Sequence, residues 1–279
     1  MEKGYILKKR KLSDDVYNLQ IFAPDIAEHY QPGQFAVVIP DEKGERIPLT
    51  ISNFNVTRGC VSIYFLVVGS STYKLSCLNE GDKVAHILGP LGRPSQIEKF
   101  GTVLCAGGGV GIATLYPVVR RLKEAGNTVV SVLSARTAER LILEKDISEY
   151  SDETIITTDD GSRGIKGLIT LGIQTVASKR KIDKVFCVGP IAMMHAIADL
   201  TEKMGIPTVA SLNPIMVDAT GMCGACRVTV GGQQHLACVD GPEFDAHKID
   251  FAELRSRLAQ YRPQEKISLD KVKGQCQEK

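Results

Sequence analysis

Two rhythms of apolar and polar positions divide the chain near residue 95. Before that point the apolar residues fall in short β-rich runs at 5–9, 16–22, 34–39, 46–52, 60–68 and 83–88. Turn residues such as Pro32-Gly33 and Lys43-Gly44 separate them. Six strands at this spacing predict a small antiparallel β-barrel or sandwich over residues 1–95. The one helical interruption expected is 71–77, and Pro90, Gly92 and Pro94 punctuate a linker.

From residue 100 the rhythm changes. Residues 102–106 form a continuous apolar run that ends in glycines, and 128–133, 153–158, 184–188 and 208–212 read as further buried strands. The stretches 112–125, 165–178 and 191–204 have helical spacing. Strands that alternate with helices predict a parallel sheet covered on both faces, so 100–212 reads as an α/β domain. From 213 the alternation stops. Residues 213–247 are rich in Gly and Cys, with a hairpin whose first strand, 227–230, turns at Gly231-Gly232. Residues 248–279 hold a helix at 250–258 and a charged tail that is expected to be loose.

Composition narrows the function classes. A chain of 279 residues with 43% hydrophobic and 24% charged residues can bury the cores of two domains with an appendage. Its 34 basic and 32 acidic residues nearly cancel, which argues against nucleic-acid and membrane-surface partners. The basic runs at 8–11 and 179–181 flank strands and read as solvated faces. No apolar stretch approaches the about 20 residues that span a bilayer. The first residues lack the apolar core of a signal peptide, so a cytoplasmic location is expected. Of the eight cysteines, Cys60, Cys77, Cys105, Cys187 and Cys276 are scattered and read as small buried hydrophobes. Cys223, Cys226 and Cys238 are grouped, and in a reducing compartment such a group signals metal or redox chemistry.

The grouped cysteines carry the most specific signal. They stand as Cys-x2-Cys-x11-Cys, with Gly221 and Gly224 in the loop and Asp218 at Asp-x4-Cys before them. Three thiolates are one short of the usual set for an iron–sulfur cluster. Asp218 stands where an oxygen ligand would complete it, and His235 in the hairpin is the alternative fourth ligand. A Cys3His zinc site usually pairs its ligands closely at both ends, and a redox dithiol belongs where a strand enters a helix. Neither pattern is met well here.

A second signal is Gly107-Gly108-Gly109-Val110-Gly111, between an apolar strand and a helix. Glycines there let the backbone approach a pyrophosphate at a helix N-terminus. The G-x-G-x-x-G spacing of the Rossmann fingerprint is absent. A third is Arg46-Ile47-Pro48-Leu49-Thr50, where Arg46 can grip a phosphate and Thr50 offers a hydroxyl on the same strand face. Gly69-Ser70-Ser71-Thr72 opens a short helix that can receive the same phosphate. Taken singly, the last two read as a solvated arginine and an ordinary helix cap.

Together these motifs resemble a known family. A barrel with an R-x-P-[LIY]-[ST] strand, then Gly89-Pro90-Leu91-Gly92, then a strand–GGGxG–helix unit is similar to the ferredoxin–NADP reductase superfamily over residues 1–212. The resemblance implies FAD on the barrel, at Arg46, Pro48, Leu49 and Thr50 with Gly69, Ser71 and Thr72. It implies a nicotinamide nucleotide on the second domain, at Gly108, Gly109, Val110 and Gly111, with Gly189 and Pro190 beside the nicotinamide and Cys187 near it.

The Asp-x4-Cys-x2-Cys-x11-Cys pattern, followed by Asp240-Gly241-Pro242-Glu243-Phe244-Asp245, resembles the small subunits of NADH-dependent ferredoxin:NADP oxidoreductases. Related subunits serve sulfide dehydrogenases and type B dihydroorotate dehydrogenase. The dihydroorotate relatives have four cysteines, the first of which is Asp218 here. The resemblance implies hydride exchange with NAD(H) at FAD and relay of single electrons through a [2Fe–2S] cluster on Asp218, Cys223, Cys226 and Cys238. The acceptor would be a larger subunit with FAD and [4Fe–4S] clusters in a bifurcating heterodimer that serves ferredoxin. A sulfide or polysulfide dehydrogenase subunit and a dihydroorotate dehydrogenase subunit are the alternatives. Arg136 could grip an NADP 2′-phosphate and Asp160 could repel it; the resemblance favours NAD. Asp240–Asp245 and the C-terminal helix are candidate docking surfaces for the larger subunit.

Overall fold

The structure is a computed structural model, and it describes residues 1–276. The first region contains β1 (Ile6–Lys11), β2 (Val16–Phe22), α1 (Pro24–His29), β3 (Phe35–Ile39), β4 (Ile47–Asn55), β5 (Cys60–Leu66), α2 (Ser70–Cys77) and β6 (His86–Leu91). The strands form one antiparallel sheet in the order β1-β2-β5-β4-β3-β6. An Asp82–Ile6 backbone hydrogen bond and a Tyr5–Lys83 bridge tie the two edges together, which closes the sheet as a barrel. Alternate residues such as Leu19, Ile21, Val38, Ile51 and Ile63 point into one core.

The second region contains β7 (Thr102–Gly108), α3 (Gly111–Glu124), β8 (Thr128–Ala135), α4 (Glu144–Ser148), β9 (Glu153–Thr158), β10 (Ile165–Lys166), α5 (Ile169–Ala177), β11 (Lys184–Val188), α6 (Ile191–Lys203) and β12 (Thr208–Ser211). After these come β13 (Arg227–Val230), β14 (Gln233–Leu236), β15 (Glu243–Asp245), α7 (Phe251–Ala259) and α8 (Arg262–Cys276). The main sheet runs β10-β9-β8-β7-β11-β12-β15, parallel except for β15. Its central strands β7, β8 and β11 are buried beyond their first residues because helices cover both faces. The order reverses at β7. Chain that leaves β7 goes first to β8 and its side of the sheet, then returns to β11 on the other side. Ligands of open α/β sheets bind at such a switch point, at the carboxyl ends of the strands.

Several expectations are corrected. Residues 165–178 are not one helix: Ile165–Lys166 pair with Thr157–Thr158, and Gly167 at φ +132° breaks the chain before α5. The sixth barrel strand is β6, shifted later than 83–88, so Pro90 belongs to the barrel and not to the linker. The short helix α1 was not foreseen. The tail is not loose over its described length: α8 is a helix that packs on α2, although its side chains stay largely exposed. Its charged composition hid this, because a helix that buries so little shows no clear apolar stripe. Asp240–Asp245, expected as a docking surface, is partly built into the main sheet. Glu243–Asp245 extend the main sheet beside β12, and Phe244 is buried.

Candidate functional site

The nucleotide crevice is made of backbone. β7 delivers Gly107 and Gly108 to the carboxyl end of the sheet, Gly109 takes φ +57°, and Val110 leads into α3 with no side chain capping its N-terminus. The Ile112 and Ala113 N–H groups donate to the Gly109 and Val110 carbonyls, which leaves the Gly111 N–H and the positive dipole end of α3 at the crevice. Across it, β11 ends at Val188, Gly189 has φ +157°, and Pro190 leads into α6. The two loops touch: a Cβ on Gly111 would sit 2.6 Å from the Val188 carbonyl oxygen, and one on Gly189 would sit 3.1 Å from that of Gly108. Only glycine allows this approach, and the resulting bare-backbone cradle suits a pyrophosphate. Cys187 lies one residue inside the crevice with its side chain in the core, between Ala106 and Ala210 on the neighbouring strands. Burial pushes its thiol up to about 12, and the nearby Glu243 carboxyl adds to this, so it is a neutral packed group.

Arg136 follows the end of β8, and its carbonyl accepts the Asp160 N–H at 3.3 Å, so the structure brings these two predicted residues together at the crevice rim. Both are exposed. Asp160 is turned towards its own loop, where the Ser162 N–H and hydroxyl donate to it at 3.0 and 2.7 Å. The Ser162 hydroxyl is the main cause that holds its carboxyl below the usual range.

On the barrel, Pro48, Leu49 and Thr50 lie on β4 opposite Val37, Ala36 and Phe35. Gly69 precedes α2 in open space, and Thr72 turns back to accept the Gly69 N–H at 3.0 Å. Ser71 is buried and donates to Glu45 at 3.1 Å. The open glycine, the helix start and the neighbouring Arg46 make a donor set that suits a flavin pyrophosphate.

In the cysteine segment, Cys226 and Cys238 are buried with their sulfurs 3.1 Å apart. Cys223 is exposed on the loop between them and Asp218. Backbone N–H groups, with Ala225 first, hold its thiol below the ordinary cysteine range. The Cys238 thiol moves the other way, up to about 12, because of burial and then of the Cys226 thiol beside it. Asp218 folds back on its loop: Oδ2 accepts from the Thr220 N–H at 2.9 Å, from the Thr220 hydroxyl and from the Met222 N–H at 3.4 Å. These bonds, with the Thr220 hydroxyl first, hold its carboxyl below the usual range. Oδ1 receives Arg46 at 3.0 Å.

Among the described residues, no three His, Cys, Asp or Glu side chains converge as a ready metal-ligand group. The structure joins two of the predicted ligands and sets the other two on the adjoining loop. Three thiols and a carboxylate, with N–H groups aimed at sulfur, are a donor chemistry that suits an iron–sulfur cluster. His235 is engaged elsewhere, 3.9 Å from Asp240 and against the Phe244 ring.

Sequence reasoning missed Glu45, Thr220 and the Arg46–Asp218 contact. Thr220 was readable as the third residue of an Asp-x-Thr turn. The contact spans 172 positions and leaves no local signal.

The barrel, the switch-point crevice and the thiol-bearing hairpin define a two-domain reductase of the ferredoxin–NADP reductase type with an appended cluster segment. Residues 213–250 match the iron–sulfur cluster binding domain of dihydroorotate dehydrogenase B. The dihydroorotate dehydrogenase B electron transfer subunit homolog of Thermotoga maritima is 50% identical over 95% of this chain and 94% of its own. A probable electron transfer subunit of the same enzyme from Methanocaldococcus jannaschii is 32% identical over 90% and 93%. A solved structure of an NADH-dependent reduced ferredoxin-NADP oxidoreductase, described for flavin-based electron bifurcation, superposes with TM-score 0.93 at 48% identity. It covers 97% of this chain and 98% of its own. The chain belongs to the family of dihydroorotate dehydrogenase B electron transfer subunits and their homologues.

Proposed function

We propose that the chain is the electron-transfer flavoprotein subunit of an NADH-dependent ferredoxin:NADP oxidoreductase that bifurcates electrons. It exchanges hydride with NAD(H) at FAD and passes single electrons through a [2Fe–2S] cluster to a larger subunit with FAD and [4Fe–4S] clusters, which serves ferredoxin. The observation that carries this reading is the 3.0 Å contact between Arg46 and Asp218, which sets the cluster loop beside the start of β4, the strand assigned to the flavin. The 50% identity to an electron transfer subunit homolog and the 48% identity to the ferredoxin-NADP oxidoreductase structure support it.

Each group has a stated task. Gly108, Gly109, Val110 and Gly111 bring bare backbone up to the nucleotide pyrophosphate. The Val110 and Gly111 N–H groups are its donors, because the Gly109 N–H already bonds the Ser134 carbonyl. Gly189 and Pro190 border the nicotinamide. Arg136 and Asp160 set the edge that meets the adenine ribose. Arg46, Gly69, Ser71 and Thr72 hold the flavin pyrophosphate, while Pro48, Leu49 and Thr50 line its ring. Asp218, Cys223, Cys226 and Cys238 hold the cluster. FAD supplies the conversion between two-electron hydride and one-electron chemistry. No described helix is long and apolar enough to cross a membrane.

An anaerobic preparation of the chain tests this reading. It should be yellow-brown, carry about two irons per flavin, and bleach on mixing with NADH. A colourless, iron-free chain, or one that binds NADPH alone, would refute it. Co-purification from native cells identifies the larger subunit and separates this assembly from a sulfide or dihydroorotate enzyme.

A further inference from the structure

The segment between β3 and β4 ends in two oppositely charged neighbours, one of which reaches α2 and the other the cluster loop. Glu45 accepts from the Ser71 hydroxyl in the first turn of α2. Arg46 donates to Asp218 Oδ1 at 3.0 Å. Under the function proposed above, on which this inference rests, Arg46 and Asp218 are both groups that a cofactor also needs. A pyrophosphate needs the guanidinium. An iron ion needs a carboxylate lone pair.

The hydrogen bonds of Asp218 show which oxygen that is. Oδ2 already accepts two N–H groups and the Thr220 hydroxyl, so Oδ1 is the oxygen left for a metal, and Arg46 sits on it. We infer that the Arg46–Asp218 ion pair competes with both cofactors, so that FAD and the [2Fe–2S] cluster bind cooperatively, with Arg46 as the residue that couples them.

The coupling is a linkage. A phosphate that draws Arg46 away releases the Asp218 oxygen for iron. Iron that takes Asp218 releases the guanidinium for phosphate. Either ligand therefore binds more readily after the other, and the coupling is equal in both directions. Arg46 acts on the cluster through Asp218, which makes it a positioning residue there.

Two measurements on the full-length chain test this. In the first, protein stripped of iron by a chelator is titrated with FAD, read by quenching of flavin fluorescence. Asp218→Asn should bind FAD on the order of three- to fivefold more tightly than the unsubstituted chain, the modest scale of an accessible ion pair. Equal or weaker binding by the variant overturns the coupling. Failure of the unsubstituted chain to bind FAD overturns the flavin assignment instead, so the two failures are distinct.

In the second, the cluster-loaded protein is challenged with a chelator, and loss of the visible circular dichroism of the cluster is timed with and without saturating FAD. FAD should slow the loss several-fold in the unsubstituted chain and have no effect in Arg46→Gln. Undiminished protection by FAD in Arg46→Gln, or none in the unsubstituted chain, overturns the proposal.

Discussion

At the crevice between β7 and β11 the binding groups are backbone, and a buried parallel sheet fixes their positions. At the cluster loop they are side chains, and each already has a partner within the chain. Gly111 has no alternative arrangement, because backbone atoms of Val188 and Gly189 fill the space a side chain would take, whereas at Gly108 that space is filled by the Met193 side chain. Asp218 is held by Thr220, Met222 and Arg46, and a ligand can displace the Arg46 contact. A crevice of the first kind is preorganised and intolerant of added volume. A loop of the second kind exchanges partners, and so one site can sense the other.

The largest effect expected is on the loop. Cys226→Ala and Asp218→Ala should each lower affinity for the cluster by at least about tenfold, since even supporting residues around metal sites reach that scale. His235→Ala should leave iron content unchanged. Iron and acid-labile sulfide analysis of anaerobically purified variants decides this. Cluster loss in His235→Ala with retention in Asp218→Ala would reassign the fourth ligand.

The crevice should fail sterically. Gly111→Ala places a Cβ 2.6 Å from the Val188 carbonyl oxygen and 2.9 Å from the Gly189 Cα, both backbone atoms that cannot turn aside. We expect about 3 kcal/mol of destabilisation, as for overpacking of a tight site, and slowed bleaching by NADH. Gly108→Ala meets the Met193 sulfur at 2.3 Å, and a flexible thioether can move, so about 1 kcal/mol is expected. Denaturant unfolding of the two variants measures the difference. Equal tolerance at both positions would mean that the crevice is less rigid than its backbone contacts imply.

These two sites were unequally legible. The glycine run was readable because it sits between a continuous apolar strand and a helix, and both periodicities hold up to the loop. The cysteine spacing was readable because both ends of the hairpin are local. What brings Arg46 to Asp218 is the docking of a barrel loop on a distant segment, which no window of sequence contains. Strand β15 is three residues long and exists by its pairing with β12, so its own pattern gave nothing. Residues 165–166 fit a helical period and a strand edge equally well, and Gly167 decides between them.

The cluster segment also has an arm that follows the rule of the crevice rather than that of the loop. Gly241 accepts the Arg93 N–H at 2.6 Å, and Glu243 accepts the Ser95 hydroxyl at 2.6 Å, so the arm is fixed both to the sheet and to the linker between domains. Burial pushes the Glu243 carboxyl above its ordinary value, and the Ser95 bond and Lys184 only partly oppose this. An acid with a raised folded pKa holds its proton more tightly in the folded chain. Its contribution is complete below the usual carboxylate range and is lost as pH rises through the raised value. The unfolding temperature should therefore fall as pH rises from about 4.3, and Glu243→Gln should remove that part of the slope. Ser95→Ala, which leaves the carboxyl without its donor, should cost about 1 kcal/mol. Thermal unfolding across this pH range measures both. Parallel curves for the unsubstituted chain and Glu243→Gln would show the carboxyl to be solvated, and this arm to be as yielding as the loop that holds Asp218.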